Sequence, residues 1–169
     1  MINIKKIFII LFLYISLTPS VYAENKIAYL DLDFILSNTN IGKITLSKLE
    51  KNEKKKNDEF KLQEKKFKEE ENKILASRSI ITDEQLKINI NDFKKKIDNY
   101  SKGKSEQIKQ LKKNRKTEIL NLLSLINPII ETYMENNSIA IIIDKKNIYI
   151  GNTSYDITNN LIDIINKKL

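Results

Sequence analysis

The side chains that most enzymes use for covalent or metal chemistry are missing from this sequence, which has no histidine and no cysteine in 169 residues. That excludes Ser-His-Asp and Cys-His nucleophile pairs and the usual zinc sites. The three glycines, Gly42, Gly103 and Gly151, are too far apart to build a phosphate-cradling loop. Aspartates and glutamates sit among lysines at helical spacing, as on a solvated helix face rather than in an acid–base pair. No catalytic residue, cofactor or metal is expected. The chemistry left to the chain is that of cations. Between Lys94 and Lys116 stand ten of them, Lys94, Lys95, Lys96, Lys102, Lys104, Lys109, Lys112, Lys113, Arg115 and Lys116, against only Asp98 and Glu106. A wall of this kind attracts acidic partners at long range, so these ten residues are the candidate binding set.

The N-terminus limits which acidic partner is within reach. Lys5 and Lys6 precede an apolar run from Ile7 to Ile15, followed by Pro19 and by the small residues Val21 and Ala23. This is the layout of a secretory signal peptide with cleavage between Ala23 and Glu24. The apolar run falls short of the roughly 20 residues needed to span a bilayer. The formal net charge of +8 drops to +6 once Lys5 and Lys6 are removed (28 basic against 22 acidic residues). Export argues against nucleic acid as a partner and leaves acidic proteins, anionic lipid or lipopolysaccharide. A structural coiled-coil spacer is the competing reading, but it gives a strand-bearing body no purpose.

The elements that carry the cations follow from periodicity. Lys26–Leu32 is short, apolar and β-prone, and Asp33–Glu135 reads as helix nearly throughout. Within it, Lys51–Lys73 has nine basic and seven acidic residues and only Phe60, Leu62 and Phe67 as large apolar ones. Phe60, Phe67 and Ile74 recur every seven residues after Leu46 and Leu49, which is the narrow seam of a coiled coil with one partner. Glu64→Lys68 and Glu69→Lys73 are expected to pair along the helix. Thr82 and Gln85 form a capping box flanked by Ile81 and Leu86, which predicts a break at 77–82 and a second helix from Asp83. On that helix Leu86, Ile90, Phe93, Ile97, Tyr100, Ile108, Leu111, Ile119, Leu122 and Ile126 keep 3–4 spacing. Two helices, near Ile41–Arg78 and Asp83–Asn127, can therefore fold back as an antiparallel hairpin about 55–65 Å long. Pro128 should kink or restart the helix, and Gly103 is a weak point within it.

The end of the chain returns to strands. "SIAIIIDKKNIYIG" predicts a β-hairpin with Ile139–Ile143 covered on both faces, Lys145–Asn147 as its turn, and Ile148 and Ile150 on the return strand. Asp156 is positioned to cap a last helix. The reading is thus α+β: residues 24–40 and 128–169 form a small β-containing body, and residues 41–127 form the arm. So small a body with such apolar strands calls for self-association. Its candidate contacts are Ile27, Tyr29, Leu30, Ile139, Ile141, Ile143, Ile148 and Ile150.

"IAYLDLDFIL", "INPIIETYMENNSIAIIID" and "DITNNLIDIIN" together resemble the Skp/OmpH family of periplasmic chaperones, over essentially all of Lys26 to Leu169. The resemblance implies a homotrimer with a β-sheet hub and three helical hairpins hanging from it like tentacles around a cavity. It also implies an ATP-independent holdase, which binds unfolded outer-membrane proteins until they insert. The chain departs from the family pattern in two places. Asn136–Asn137 stand where glycine is common, and Asn159 stands for a more usual acid early in the last helix.

Overall fold

A computed structural model describes residues 26–169; the expected leader and the Ala23–Glu24 cleavage site lie outside the described residues. Strand β1, Lys26–Leu30, stops earlier than the sequence suggests because Asp31 caps a short helix directly after it. The Phe34 amide donates to Asp31 Oδ1 at 2.9 Å, and Leu32 becomes the first residue of helix α1, Leu32–Asn38. The expected continuous helix is then broken at Thr39. This side chain is fully buried, and its Oγ1 accepts from the Gly42 amide at 3.3 Å to cap helix α2, Asn40–Ala76. The sharp join brings the two helices so close that a Cβ on Gly42 would run into the Leu36 carbonyl oxygen and sit 2.7 Å from Thr39 Oγ1. The adjoining Asn40 amide is taken by Asn166 Oδ1 at 2.7 Å, which ties the root of the arm to the C-terminus.

Helix α2 and helix α3, Asp83–Asn136, are the two legs of an antiparallel hairpin joined by a 3₁₀ turn at Ser77–Ser79. Thr82 Oγ1 accepts from the Gln85 amide at 3.3 Å, but only half of the capping box forms. The Gln85 side chain turns along the helix and donates to Asn89 Oδ1 instead. Pro128 does not restart the helix, contrary to expectation: α3 runs through it to Asn136. The hydrogen bond it removes would have ended on the carbonyl of Ser124. Both residues are exposed, so that carbonyl is left to water rather than orphaned. Thr132 Oγ1 donates to the Pro128 carbonyl at 2.8 Å just beyond.

Strand β2, Ile139–Asp144, pairs in parallel with β1, with Ile27 opposite Ile141, Ala28 opposite Ile142 and Tyr29 opposite Ile143. The turn into it places Ser138 at φ 55°, so the left-handed residue is neither Asn136 nor Asn137. The core gathers Ala28 and Leu30 of β1, Ile35 and Leu36 of α1, and Leu122, Ile126 and Ile129 of α3. Ile157, Leu161 and Ile165 join them from the end of the chain, where helix α4, Thr158–Lys168, lies. Leu122 and Ile126 thus serve the body although they precede Pro128.

The expected β-hairpin does not form. Asp144 Oδ1 accepts from the Lys146 amide at 3.2 Å and winds the chain into a 3₁₀ turn at Lys145–Asn147. Among the described residues β2 pairs only with β1, and no strand includes Ile148 or Ile150. The segment lacks the Asn-Gly or Asp-Gly pair that favours a tight hairpin, and it lays Gly151 against the Tyr29 ring instead.

The two helical glycines should respond in opposite directions. Gly42→Ala forces backbone apart and should lower stability by roughly 1–3 kcal/mol. Gly103 has open space around its Cβ position, so Gly103→Ala should raise stability by up to about 1 kcal/mol. Thermal melts of the two variants check both; a stabilised Gly42→Ala or a destabilised Gly103→Ala would contradict these environments.

Candidate functional surfaces of the arm and body

The seam between α2 and α3 is built from rings. The Phe67 ring meets Phe93 edge-on at 6.2 Å between centroids and Tyr100 at 5.1 Å. The Tyr100 hydroxyl donates to the Phe60 carbonyl at 3.1 Å, and Lys104 Nζ lies 5.3 Å from the centroid of the Phe60 ring. Edge-on pairs are worth about 0.5–1.5 kcal/mol beyond the area they bury, which matters in an arm only two helices thick. Burial pushes the Tyr100 hydroxyl above its ordinary pKa, with a further push from the nearby Glu64 carboxylate. Ile108, expected in the seam, is exposed.

Charge across the seam rearranges the candidate binding set. Lys96 pairs with Glu70 at 2.5 Å, Lys104 with Glu64 at 2.5 Å and Arg115 with Glu53 at 3.1 Å. The expected pairs Glu64–Lys68 and Glu69–Lys73 do not form, because Glu64 turns to the opposite leg. The Glu64 hydrogen bond holds the Lys104 pKa above its usual value. These pairs are solvated, so they fix register more than they stabilise. Lys95 and Lys109 bond along their own helix to Asp92 and Glu106. Of the ten cations, Lys94, Lys102, Lys112, Lys113 and Lys116 make no ion pair among the described residues. No group of three metal-ligating side chains occurs among the described residues.

On the body, the candidate contacts divide between the two faces of the sheet. Leu30 lies in the chain's own core, and Ile139 packs against it. The other face is partly open in the single chain. Ile27 is 51 % exposed, Ile141 53 %, Ile143 37 % and Ile150 86 %. With Tyr29, Ile148 and Tyr155, three of these (Ile27, Ile143 and Ile150) line a hollow of about 540 Å³. Tyr155 was not legible as a surface residue; it arrives there because a short 3₁₀ turn at Thr153–Tyr155 precedes the isolated bridge from Tyr29 to Asp156.

Asp156 organises this corner. Its carboxylate accepts from the Thr158 amide at 3.0 Å and pairs with Lys145 at 3.0 Å. The cap of α4 is Ile157, which makes no side-chain capping bond, so Asp156 stands one residue outside the position the sequence assigns it. Thr158 Oγ1 in turn accepts from the Asp31 amide at 2.9 Å. Burial pushes the Asp156 pKa up, but the Thr158 hydroxyl and amide and the Lys145 ammonium outweigh it. The net result lies below the ordinary value of 3.8. A carboxylate with a depressed folded pKa stabilises above its unfolded pKa, and that stability is lost as pH falls through the folded value. Melting temperature should therefore fall as pH is lowered below about 4. Asp156→Asn keeps an acceptor for the Thr158 amide but loses the charge that pairs with Lys145. It should lower the melting temperature at neutral pH by the equivalent of no more than about 1 kcal/mol and should flatten the acid limb. An acid limb identical in the two proteins would show that Asp156 does not couple to folding.

The family model for outer membrane protein (OmpH-like) matches residues 26–165. Among solved structures, a candidate outer membrane chaperone (OmpH-like) from Caulobacter crescentus CB15 superposes with a TM-score of 0.74 at 12 % identity, covering 90 % of this chain and 88 % of that one. At that identity the likeness is one of fold. No curated protein matches the chain. Since the family match runs from the first residue of β1 nearly to the end of α4, the chain belongs to the OmpH-like outer membrane protein family.

Proposed function

We propose that the protein is an exported, ATP-independent holdase that keeps unfolded outer-membrane β-barrel proteins soluble in the periplasm, inside a cavity between the arms of a homotrimer. One observation carries this reading. A hairpin that spends its rings on its own seam stands about 55 Å long on a body whose second sheet face is apolar and open. Covering Ile27, Ile141 and Ile143 with further copies would set several arms around one space. Family membership and the exported N-terminus support the location. The unpaired cations of α3 support an acidic client, which they would steer at long range.

Light scattering of a diluted, denatured β-barrel protein should stay low in the presence of a molar excess of the chaperone without nucleotide. Undiminished aggregation would count against the holdase. Ile141→Asp tests the assembly. Half-exposed in the single chain, the residue can carry a charge without unfolding the body. Buried between copies, the charge would cost several kcal/mol. Sedimentation of this variant should show folded monomers, whereas an unchanged trimer would place the interface elsewhere.

A further inference from the structure

The lysines of α2 went unselected in the sequence because acidic residues surround them. The structure separates the two charges. Glu53 reaches across to Arg115, and Glu59 bonds Lys56 on its own helix at 2.7 Å. Lys43, Lys48, Lys51, Lys54 and Lys55 make no ion pair among the described residues. Two shallow hollows follow one another along α2 and share Lys51, the first floored by Ile44 and the second by Leu62. Ile44 is 70 % exposed and Leu62 57 %, unusual for large apolar side chains in so charged a helix. Only Asp58 and Glu59 bring negative charge to this lining, both at the far end.

We propose that this trough, from Lys43 to Leu62, grips an extended, acidic, strand-length segment of the unfolded client; the proposal rests on the holdase reading above. Ile44 and Leu62 are 18 residues apart on a helix, about 27 Å. An extended chain covers that span in about eight residues at 3.3 Å each. Strands that cross a membrane as part of a barrel are about 9–11 residues long and alternate apolar with polar side chains. A segment of this kind offers apolar side chains for Ile44 and Leu62 at the two ends and carboxylates for the four unpaired lysines between them, Lys48, Lys51, Lys54 and Lys55. Of the free cations of α3, only Lys94 lines a hollow with apolar side chains, and those, Phe67, Phe93 and Ile97, are part-buried in the seam. Between Lys94 and Lys116 the only exposed large apolar side chain is Ile108, at 36 %. Helix α3 therefore attracts the client and α2 retains it, so the two helices should affect different rate constants.

The probe is a fluorescent ten-residue peptide of alternating valine and glutamate, with lysine in place of glutamate as its control, followed by stopped-flow anisotropy on the full mature protein. Wild type should bind the glutamate peptide and not the lysine peptide. The fourfold variant K48Q/K51Q/K54Q/K55Q should raise the dissociation rate about tenfold. The variant K94Q/K102Q/K112Q/K113Q should slow association about two- to threefold and leave dissociation unchanged. Circular dichroism and mass establish that each variant is folded and assembled as wild type. If the lysine variant of α2 fails that control, the double variant I44S/L62S replaces it, with the same dissociation effect expected. Equal effects of the two helices on dissociation, or no selectivity for the glutamate peptide, would overturn the trough. So would loss of binding to phosphatidylglycerol vesicles in the α2 variant with peptide binding intact, which would make the face a membrane contact. Wild type that prevents barrel aggregation while the α2 variant releases the peptide no faster overturns the trough alone. Wild type that fails to prevent aggregation overturns the holdase, and the peptide kinetics still judge the trough separately.

Discussion

The parallel pairing of β1 with β2 is the constraint on which the rest of this molecule depends. Parallel neighbours need a crossover, and here the crossover is the entire α1–α2–α3 excursion, so forming the pair also closes the root of the arm. Two strands alone are marginal in water. The pair survives because one of its faces is covered by α1, α3 and α4 through Ile35, Ile126, Leu161 and Ile165, all fully buried. The same economy leaves the other face only partly covered by the segment from Ile148 to Tyr155, with Ile27 and Ile141 half-exposed and Ile143 over a third exposed. The body is thus complete as a fold and incomplete as a surface.

The arm solves a different problem. A hairpin of two helices has no interior, and each leg is too polar to bury a wide stripe. It holds together through a single file of rings, anchored by the Tyr100 hydroxyl on the Phe60 carbonyl, and through cross-leg ion pairs that set its register. Every ion pair across the seam withdraws a cation from the set that could meet a partner. In the function proposed above, the lysines that the seam does not use, on α2 and α3, are the ones left to meet a client.

How much of this the sequence disclosed depends on the range of each interaction. The heptad of Phe60 and Phe67 and the cap at Thr82 are local patterns, and each reads directly from neighbouring residues. The break at Thr39 was encoded in "NTNIG", but its cause is the Leu36 carbonyl packing against Gly42, which is a contact between helices. The ion pairs of Glu53, Glu64 and Glu70 reach across the hairpin, so a rule for residues four apart on one helix assigned Glu64 to the wrong leg. The return strand failed for a local reason: Asp144 winds the chain into a 3₁₀ turn, and no pair that favours a tight hairpin follows it. The basic trough of α2 was hidden by composition: acids stand among its lysines in sequence, and only the ion pairs of Glu53 with Arg115 and of Glu59 with Lys56 show which lysines are left without a partner among the described residues.

The central claim is that an open apolar sheet face gathers copies of the chain so that their arms enclose a client. Native mass determination of the mature protein, alone and with an unfolded β-barrel protein, tests this most directly. The account predicts a trimer in the first case and a trimer carrying one client in the second. A monomer in both would contradict it.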